Sequence, residues 1–338
     1  MACLLLGGAG YGGYSLLQVL GPPPDYSGSG TGSVKIEVKR GQTIAEIGQE
    51  LEREGVVKSA EAFVAAATSH DEAKSLQPGF YRLRHKMAAS KALALLLDPS
   101  SQVRMQVTIP EGLQMSQIFK KIAENSDISA EELRQAAKNP EDLGLPSYAE
   151  TGVEGYLYPA TYSIPPGTSA TEILQRMVER FQQEAKKINL VERAQAVNLT
   201  PHEAVTVASL AQAEGRDGEE FRKVTRVVYN RLQQGMKLGL DSTVNYATGN
   251  SGIWVSRQET RVDSPYNTYR NLGLPPGPIG SPGHKALEAA LNPAAGNWLY
   301  FITVKPDKGI TKFTDDYDQF QVWKRQYNRY MQRKRGGE

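Results

Sequence analysis

Apolar and polar residues alternate through "VKIEVKR" from Val34, the two-residue period of a strand with one buried face. After Gly41 the period lengthens, and Ile44, Ile47 and Leu51 fall on one side of a helix. The same switch recurs at "VTIPEGLQMSQIF" from Val107. Aligning Gly41 with Gly112 pairs Ile44 with Met115, Ile47 with Ile118 and Leu51 with Ile122, and sets "SAEAF" from Ser59 against "SAEEL" from Ser129. Each copy of this weak internal repeat predicts a strand, a glycine turn, a helix and a second helix opened by a serine cap. Between the copies, "PGFYRLRH" predicts a strand and "ASKALALLLDP" a helix stopped by Pro99. Residues 33–145 are therefore expected to form small α+β modules.

From 146 to 322 the pattern predicts a larger α+β domain. Tyr156, Tyr158 and Tyr162 stand close to Pro159, Gly152 and Gly155, which predicts an exposed aromatic loop, and an amphipathic helix opens near Thr168. Thr200, Pro201 and Glu203 spell a helix start with a capping box and proline in the first position, so Glu203 has a structural task. Asp217 and Glu220 repeat the box ahead of a core stripe of Phe221, Val224, Val228 and Leu232. Between these helix starts, one acid breaks the pattern. In "ASLAQAEGR", Val207, Leu210, Ala211 and Glu214 stand at i, i+3, i+4 and i+7, so the carboxylate projects from the face of the buried side chains, just before Gly215. Desolvation and the negative end of the helix dipole both act to raise its pKa, as a general acid for glycosidic cleavage requires. The competing reading has Glu214 leaning into solvent or pairing with Arg216 or Arg231.

The first 21 residues carry no charged side chain and hold the apolar runs "CLLL" and "SLLQVL", enough to span a bilayer as one helix. No basic flank or small-residue cleavage site marks a removable leader, so 1–21 is expected as a retained membrane anchor. Residues 22–32, "PPPDYSGSGTG", have the composition of a linker, and the rest of the chain is expected outside the cytoplasm. Gly8, Gly10 and Gly13 match a dinucleotide-binding glycine pattern by accident, because no strand precedes them. A formal charge of +2 gives no reason to expect nucleic acid as a partner. A single cysteine, Cys3, excludes an internal disulfide framework, and His70, His85, His202 and His284 show no zinc-ligand spacing; neither a metal nor a cofactor is expected. Six basic side chains between Lys324 and Arg335 make 323–338 a basic tail, expected as a solvated helical face.

At "EGYLYPATY", "ASLAQAEGR", "LGLDSTVNYATG" and "DSPYNTYRNLGLPPGPIGSPGHKALEAALNP" the chain resembles the endolytic murein transglycosylases of the YceG-like family, over nearly everything from residue 33 to about 320. The resemblance implies one membrane helix, a LysM-like peptidoglycan-binding region at 33–145, and a mixed α+β catalytic domain at 146–322. A strand, a turn and two short helices also describe the LysM module. It implies a single-pass protein of the bacterial cell membrane whose extracytoplasmic domain cuts peptidoglycan glycan strands between MurNAc and GlcNAc, leaving 1,6-anhydro-MurNAc ends. A penicillin-binding protein synthase is an implied partner. The family's catalytic glutamate falls on Glu214. Its "Q-x-D-P-T-V" element matches in part: Asp241, Thr243 and Val244 are kept, and Ser242 stands where the motif has proline. Its proline-rich substrate loop matches Ser264–Tyr269 and Leu274–Ile279, which nominates Tyr266, Asn267 and Tyr269. Its "G-x-H-x-F" appears as Gly309 to Phe313, with Thr311 in place of histidine.

One acid suffices for lytic cleavage. Glu214 protonates the leaving oxygen and then, as carboxylate, takes the proton of the C6 hydroxyl, which attacks C1 of the same MurNAc. A hydrolase normally carries a second carboxylate about 5 to 9.5 Å from the first, and Asp241 is the candidate for that place. Asp241, Asn245, Tyr156, Tyr158, Tyr266, Asn267 and Tyr269 are the expected substrate-binding residues, as polar support for a developing sugar cation or as stacking surfaces. Two other functions stay open, a non-catalytic peptidoglycan-binding scaffold and a hydrolytic muramidase. Ser281 and His284 in "GSPGHK" lack the G-x-S-x-G turn of a serine hydrolase and read as a turn before a helix.

Overall fold

The structure, a computed structural model, describes residues 22–39, 41–103, 106–165, 167–250 and 255–335. The expected membrane anchor lies outside the described residues, and among those described no helix is long and apolar enough to cross a membrane. The chain divides into two compact units, one running to Gln106 and taking in 163–168, the other comprising Val107–Tyr162 and everything from Ser169.

The first unit contains β1 (Ser29–Val38), α1 (Ile44–Arg53), α2 (Ala60–Thr68), β2 (Gly79–Met87), α3 (Ala89–Leu97) and β3 (Gln102–Val103). The strands form one sheet in the order β1-β2-β3, antiparallel, with Ile36 opposite Tyr81 and Phe80 opposite Val103. Gly41 turns the chain from β1 into α1 at φ +83°, a conformation that costs glycine little. Thr43 and Glu46 close a capping box on α1. Ile36, Val38, Tyr81 and Leu83 then pack with Ile47, Leu51, Phe63 and Leu93 in a single core. The expected linker is shorter than its composition suggested, because β1 begins at Ser29. Ala88 offers no side-chain cap to α3, and the Asp25 carboxylate takes the Ala89 N–H instead, at 3.1 Å, placing an acid where helix donors are unpaired.

The chain continues through β4 (Gln106–Thr108), α4 (Met115–Ala123), α5 (Ala130–Ala137), β5 (Thr161–Ser163), α6 (Ala170–Lys187), α7 (Leu190–Ala196), α8 (Pro201–Glu214), α9 (Gly218–Gln233), α10 (Asp241–Thr248), α11 (His284–Leu291), β6 (Tyr300–Lys305), β7 (Ile310–Thr314) and α12 (Tyr317–Arg335). The second copy of the repeat has the expected strand, turn and two helices, with Gly112 at φ +79° and capping boxes at Gln114 and Ser129. It belongs to the second unit, so the break falls at Gln106/Val107 and the join expected near 145 lies inside one compact body. Helix α5 packs on α6, and polar contacts add to this. The Ile109 N–H donates to the Ala160 carbonyl at 2.9 Å. From α6, the Gln175 and Gln182 amides donate to the Asp142 and Gly144 carbonyls at 2.7 and 2.6 Å.

Helix α8 is the centre of the second unit, in contact with α7, α9, α10 and α11. Every residue from Ala204 to Ala211 is buried, as a helix surrounded on all sides must be. Its small side chains let those neighbours approach closely. The aromatic stretch expected to be an exposed loop is instead part of this core, for Tyr156, Tyr158 and Tyr162 are all buried. Tyr156 meets Phe181 edge-on at 5.0 Å and bonds His202 Nδ1 through its hydroxyl at 2.8 Å. Tyr162 donates to the Tyr158 carbonyl at 2.5 Å. A phenol whose hydroxyl finds a partner loses nothing by full burial and contributes a large apolar surface.

Candidate active site

Glu214 is the last residue of α8. Its neighbour Gly215 is needed for space rather than for an unusual φ, because a side chain there would overlap the Phe221 ring. The chain then turns at once into α9, where Asp217 caps by accepting the Glu219 and Glu220 N–H groups, each at 3.0 Å. Glu220 reaches the Arg216 N–H at 3.1 Å and not that of Asp217, so the expected second capping box is displaced by one residue. Burial pushes the Glu214 carboxyl above its ordinary range and the nearby Asp241 charge adds to this, while hydrogen bonding from Ser242 and the charge of Arg231 act against it. Arg231 uses its own donors on the Leu299 and Leu238 carbonyls. Arg216, the other expected partner, lies with its guanidinium against Gly309, where a side chain would collide with it.

The start of α10 faces this carboxylate. The Ser242 N–H donates to Glu214 Oε1 at 3.3 Å. Two buried threonines hold α10 there: the Thr243 hydroxyl donates to the Leu240 carbonyl at 2.7 Å and lies 2.9 Å from the Thr268 hydroxyl, which also accepts the Leu240 N–H at 3.0 Å. Tyr269, next along that loop and 37% exposed, donates its hydroxyl to Asp241 Oδ1 at 2.6 Å. Glu214, Ser242, Asp241 and Tyr269 thus form one connected group. Asn245 is half-buried one turn along α10, as is Tyr246, whose ring lies 4.7 Å from that of Tyr266.

Three expected binding residues are not available to a ligand. Tyr156 and Tyr158 belong to the core, and Asn267, fully buried, spends its amide on the Thr260 and Val262 carbonyls at 3.1 and 2.8 Å and its oxygen on the Tyr269 N–H at 3.0 Å. It shapes the loop that presents Tyr269. Ser281 and His284 do not pair: His284 Nδ1 sits 2.5 Å from Glu184 Oε1, and Ser281 is buried. Thr311 lies on β7 with its hydroxyl 3.0 Å from that of Thr303 across the hairpin.

A further acid was missed by the sequence reading. Glu154, 7% exposed, accepts the Met115 N–H at the start of α4 with both carboxylate oxygens, at 3.0 and 3.2 Å, and the Tyr246 hydroxyl at 3.3 Å. Burial pushes its carboxyl up to about 7, against those hydrogen bonds and one from the Gly155 N–H. Its signal in the sequence was an acid set between Val153 and Gly155, an apolar neighbour and one with no side chain to keep water near it. A carboxyl raised by folding stabilises the fold below its ordinary value of 4.5, and that contribution is lost as pH rises through about 7. Calorimetric melting from pH 5 to 8 should therefore show wild type losing ground to Glu154→Gln, by on the order of 3 kcal/mol when the titration is complete. Parallel melting curves would show that Glu154 stays ionised in the fold.

The YceG-like family model matches residues 36–326. The chain is 31% identical to the endolytic murein transglycosylase of Bacillus subtilis over 96% of its own length and 91% of that protein. It is 32% identical to the endolytic murein transglycosylase of Streptococcus pneumoniae over 88% of its own length, which spans 59% of that longer protein. Among solved structures it is similar to a yceG-like protein of Listeria monocytogenes, with a TM-score of 0.60 and 27% identity over 86% of this chain and 98% of that one. With a family match that runs through both units and a relative 31% identical over 96% of this chain, the chain belongs to the YceG-like family.

Proposed function

We propose that the chain is an endolytic lytic transglycosylase that cleaves the MurNAc–GlcNAc bond within peptidoglycan glycan strands and leaves 1,6-anhydro-MurNAc ends, with Glu214 as acid and base. The observation that carries this is the placement of Glu214, at the end of a buried helix, raised by desolvation, with donors of α10 aimed at its carboxylate. The names of the family's relatives support the substrate class. A raised carboxyl keeps its proton long enough to give it to the glycosidic oxygen. The Ser242 N–H then stabilises the carboxylate that remains, which takes the C6 hydroxyl proton as that oxygen closes on C1. No water enters the balance, because the C6 hydroxyl of the same MurNAc is the nucleophile at C1, and its proton restores the one Glu214 gave to the leaving oxygen.

Tyr269, Tyr266 and Asn245 are the proposed glycan-facing residues, and Asp241 supports Tyr269 and the charge of the site. Residues 1–21 are proposed to anchor the protein in the cell membrane, with both described units outside the cytoplasm and 33–106 adding a LysM-like grip on glycan. A penicillin-binding protein synthase is the proposed partner. The hydrolytic muramidase reading rests on the Asp241 charge near Glu214. The new ends separate the two. Borohydride treatment of digested glycan strands should find no reducible MurNAc formed in step with cleavage, and reducible MurNAc appearing at the rate of cleavage would replace this proposal by the hydrolase.

A further inference from the structure

The glutamate assigned here must lose a proton and regain one in the same turnover, and such a group works best when neither form is strongly preferred at the operating pH. Most of what surrounds Glu214 favours the protonated form. Burial acts in that direction, as does the negative charge of Asp241 at the start of α10. The Tyr269 hydroxyl, the other neighbour on that side, already donates to Asp241. On the opposing side, the Arg231 charge on α9 favours the carboxylate from a distance, but its donors are committed to the Leu299 and Leu238 carbonyls. Direct hydrogen bonding to the carboxylate comes from Ser242. Its N–H reaches Glu214 Oε1 at 3.3 Å. Its hydroxyl is buried close to the same carboxylate and meets no hydrogen-bond partner among the described residues.

We propose that Ser242 is a positioning residue that balances Glu214 between its two roles, offering N–H and hydroxyl to the carboxylate once the proton has left. This rests on the assignment of Glu214 as acid and base. The proposal gives a physical meaning to the departure at this position, where the resembling motif has proline. A proline has no N–H and no hydroxyl, so the donors that meet Glu214 here come from the residue this chain carries in its place. Ser242 is suited to the task by its neighbours. Thr243 and Thr268 lock the preceding Leu240, which fixes where the second residue of α10 points its N–H.

The test is the pH dependence of kcat/KM on purified glycan strands, measured with the full chain in detergent for wild type, Ser242→Ala, Ser242→Pro and Ser242→Thr, together with melting temperatures. Activity must fall as pH rises through the titration of Glu214, because the acid form starts the reaction. Removing donors that favour the carboxylate moves that fall to higher pH. Ser242→Ala, which keeps the N–H, is expected to move the alkaline limb up by about half a pH unit, and Ser242→Pro by about one unit. Ser242→Thr, which keeps both donors, should restore the wild-type limb. A limb that stays in place in Ser242→Ala, with activity lowered by one factor at every pH, would overturn the proposal and leave Ser242 a packing residue. If Ser242→Pro melts much lower than wild type, the Ala and Thr pair decides alone. An inactive wild type, or a fully active Glu214→Gln, would instead remove the assignment on which the proposal stands.

Discussion

Glu214→Gln is expected to lower glycan-strand cleavage by about 10² to 10⁴-fold, the usual contribution of a general acid and base, without unfolding the second unit. Glutamine keeps the length of the side chain and an oxygen for the Ser242 N–H, now 3.3 Å from Glu214 Oε1, but it has no proton to give and cannot take one. It also removes a buried group whose ionisation is opposed by its surroundings, so the variant should melt no lower than wild type. Asp241→Asn should cost about tenfold, the equivalent of one hydrogen bond, since Asp241 receives the Tyr269 hydroxyl and is assigned no proton transfer. Comparable losses at both positions would point to a two-carboxylate hydrolase.

Gly155→Ala is expected to destabilise the second unit strongly. Gly155 has φ +85°, where an alanine is strained by about 1–2 kcal/mol. A methyl there would also overlap the Pro278 ring and touch Val205 of α8. The ring cannot rotate aside, so the loop carrying Tyr156 or the one carrying Pro278 must shift, and overpacking of this kind costs about 1–3 kcal/mol. The sum, about 2–5 kcal/mol, corresponds to a melting temperature lower by roughly 4–20 °C for a unit of this size. Because Glu154 precedes Gly155 and holds Tyr246, activity should fall with stability. A variant that melts with wild type would show that this close approach is easily relaxed.

These outcomes depend unequally on what periodicity can reveal. The βαα repeat, the caps at Thr200 and Asp217 and the acid on the face of α8 are local features, written in residues three and four apart, and each was legible. What pairs across long separations was not. Tyr156 reads as loop because proline and glycine surround it, yet its ring is placed by Phe181 and its hydroxyl by His202, 46 residues away in the chain. The second repeat copy joins the larger unit through contacts that no local pattern shows, among them α5 on α6 and the Gln175 and Gln182 amides on the Asp142 and Gly144 carbonyls. Asn267 was nominated by motif, and the structure gives it a different task, because a loop that displays Tyr269 needs its own internal bonds. Glu154 is the clearest case. Gly152, Gly155 and Pro159 around it read as an exposed loop, and only the fold brings the α4 start and Tyr246 to it.

The most direct test of the account is mass spectrometry of purified, uncrosslinked glycan strands digested by wild type and by Glu214→Gln. Wild type is expected to produce MurNAc ends lighter by one water than hydrolysed ends, and the variant almost none. Wild-type products carrying the full mass of reducing MurNAc, or anhydro ends formed at the wild-type rate by Glu214→Gln, would contradict it.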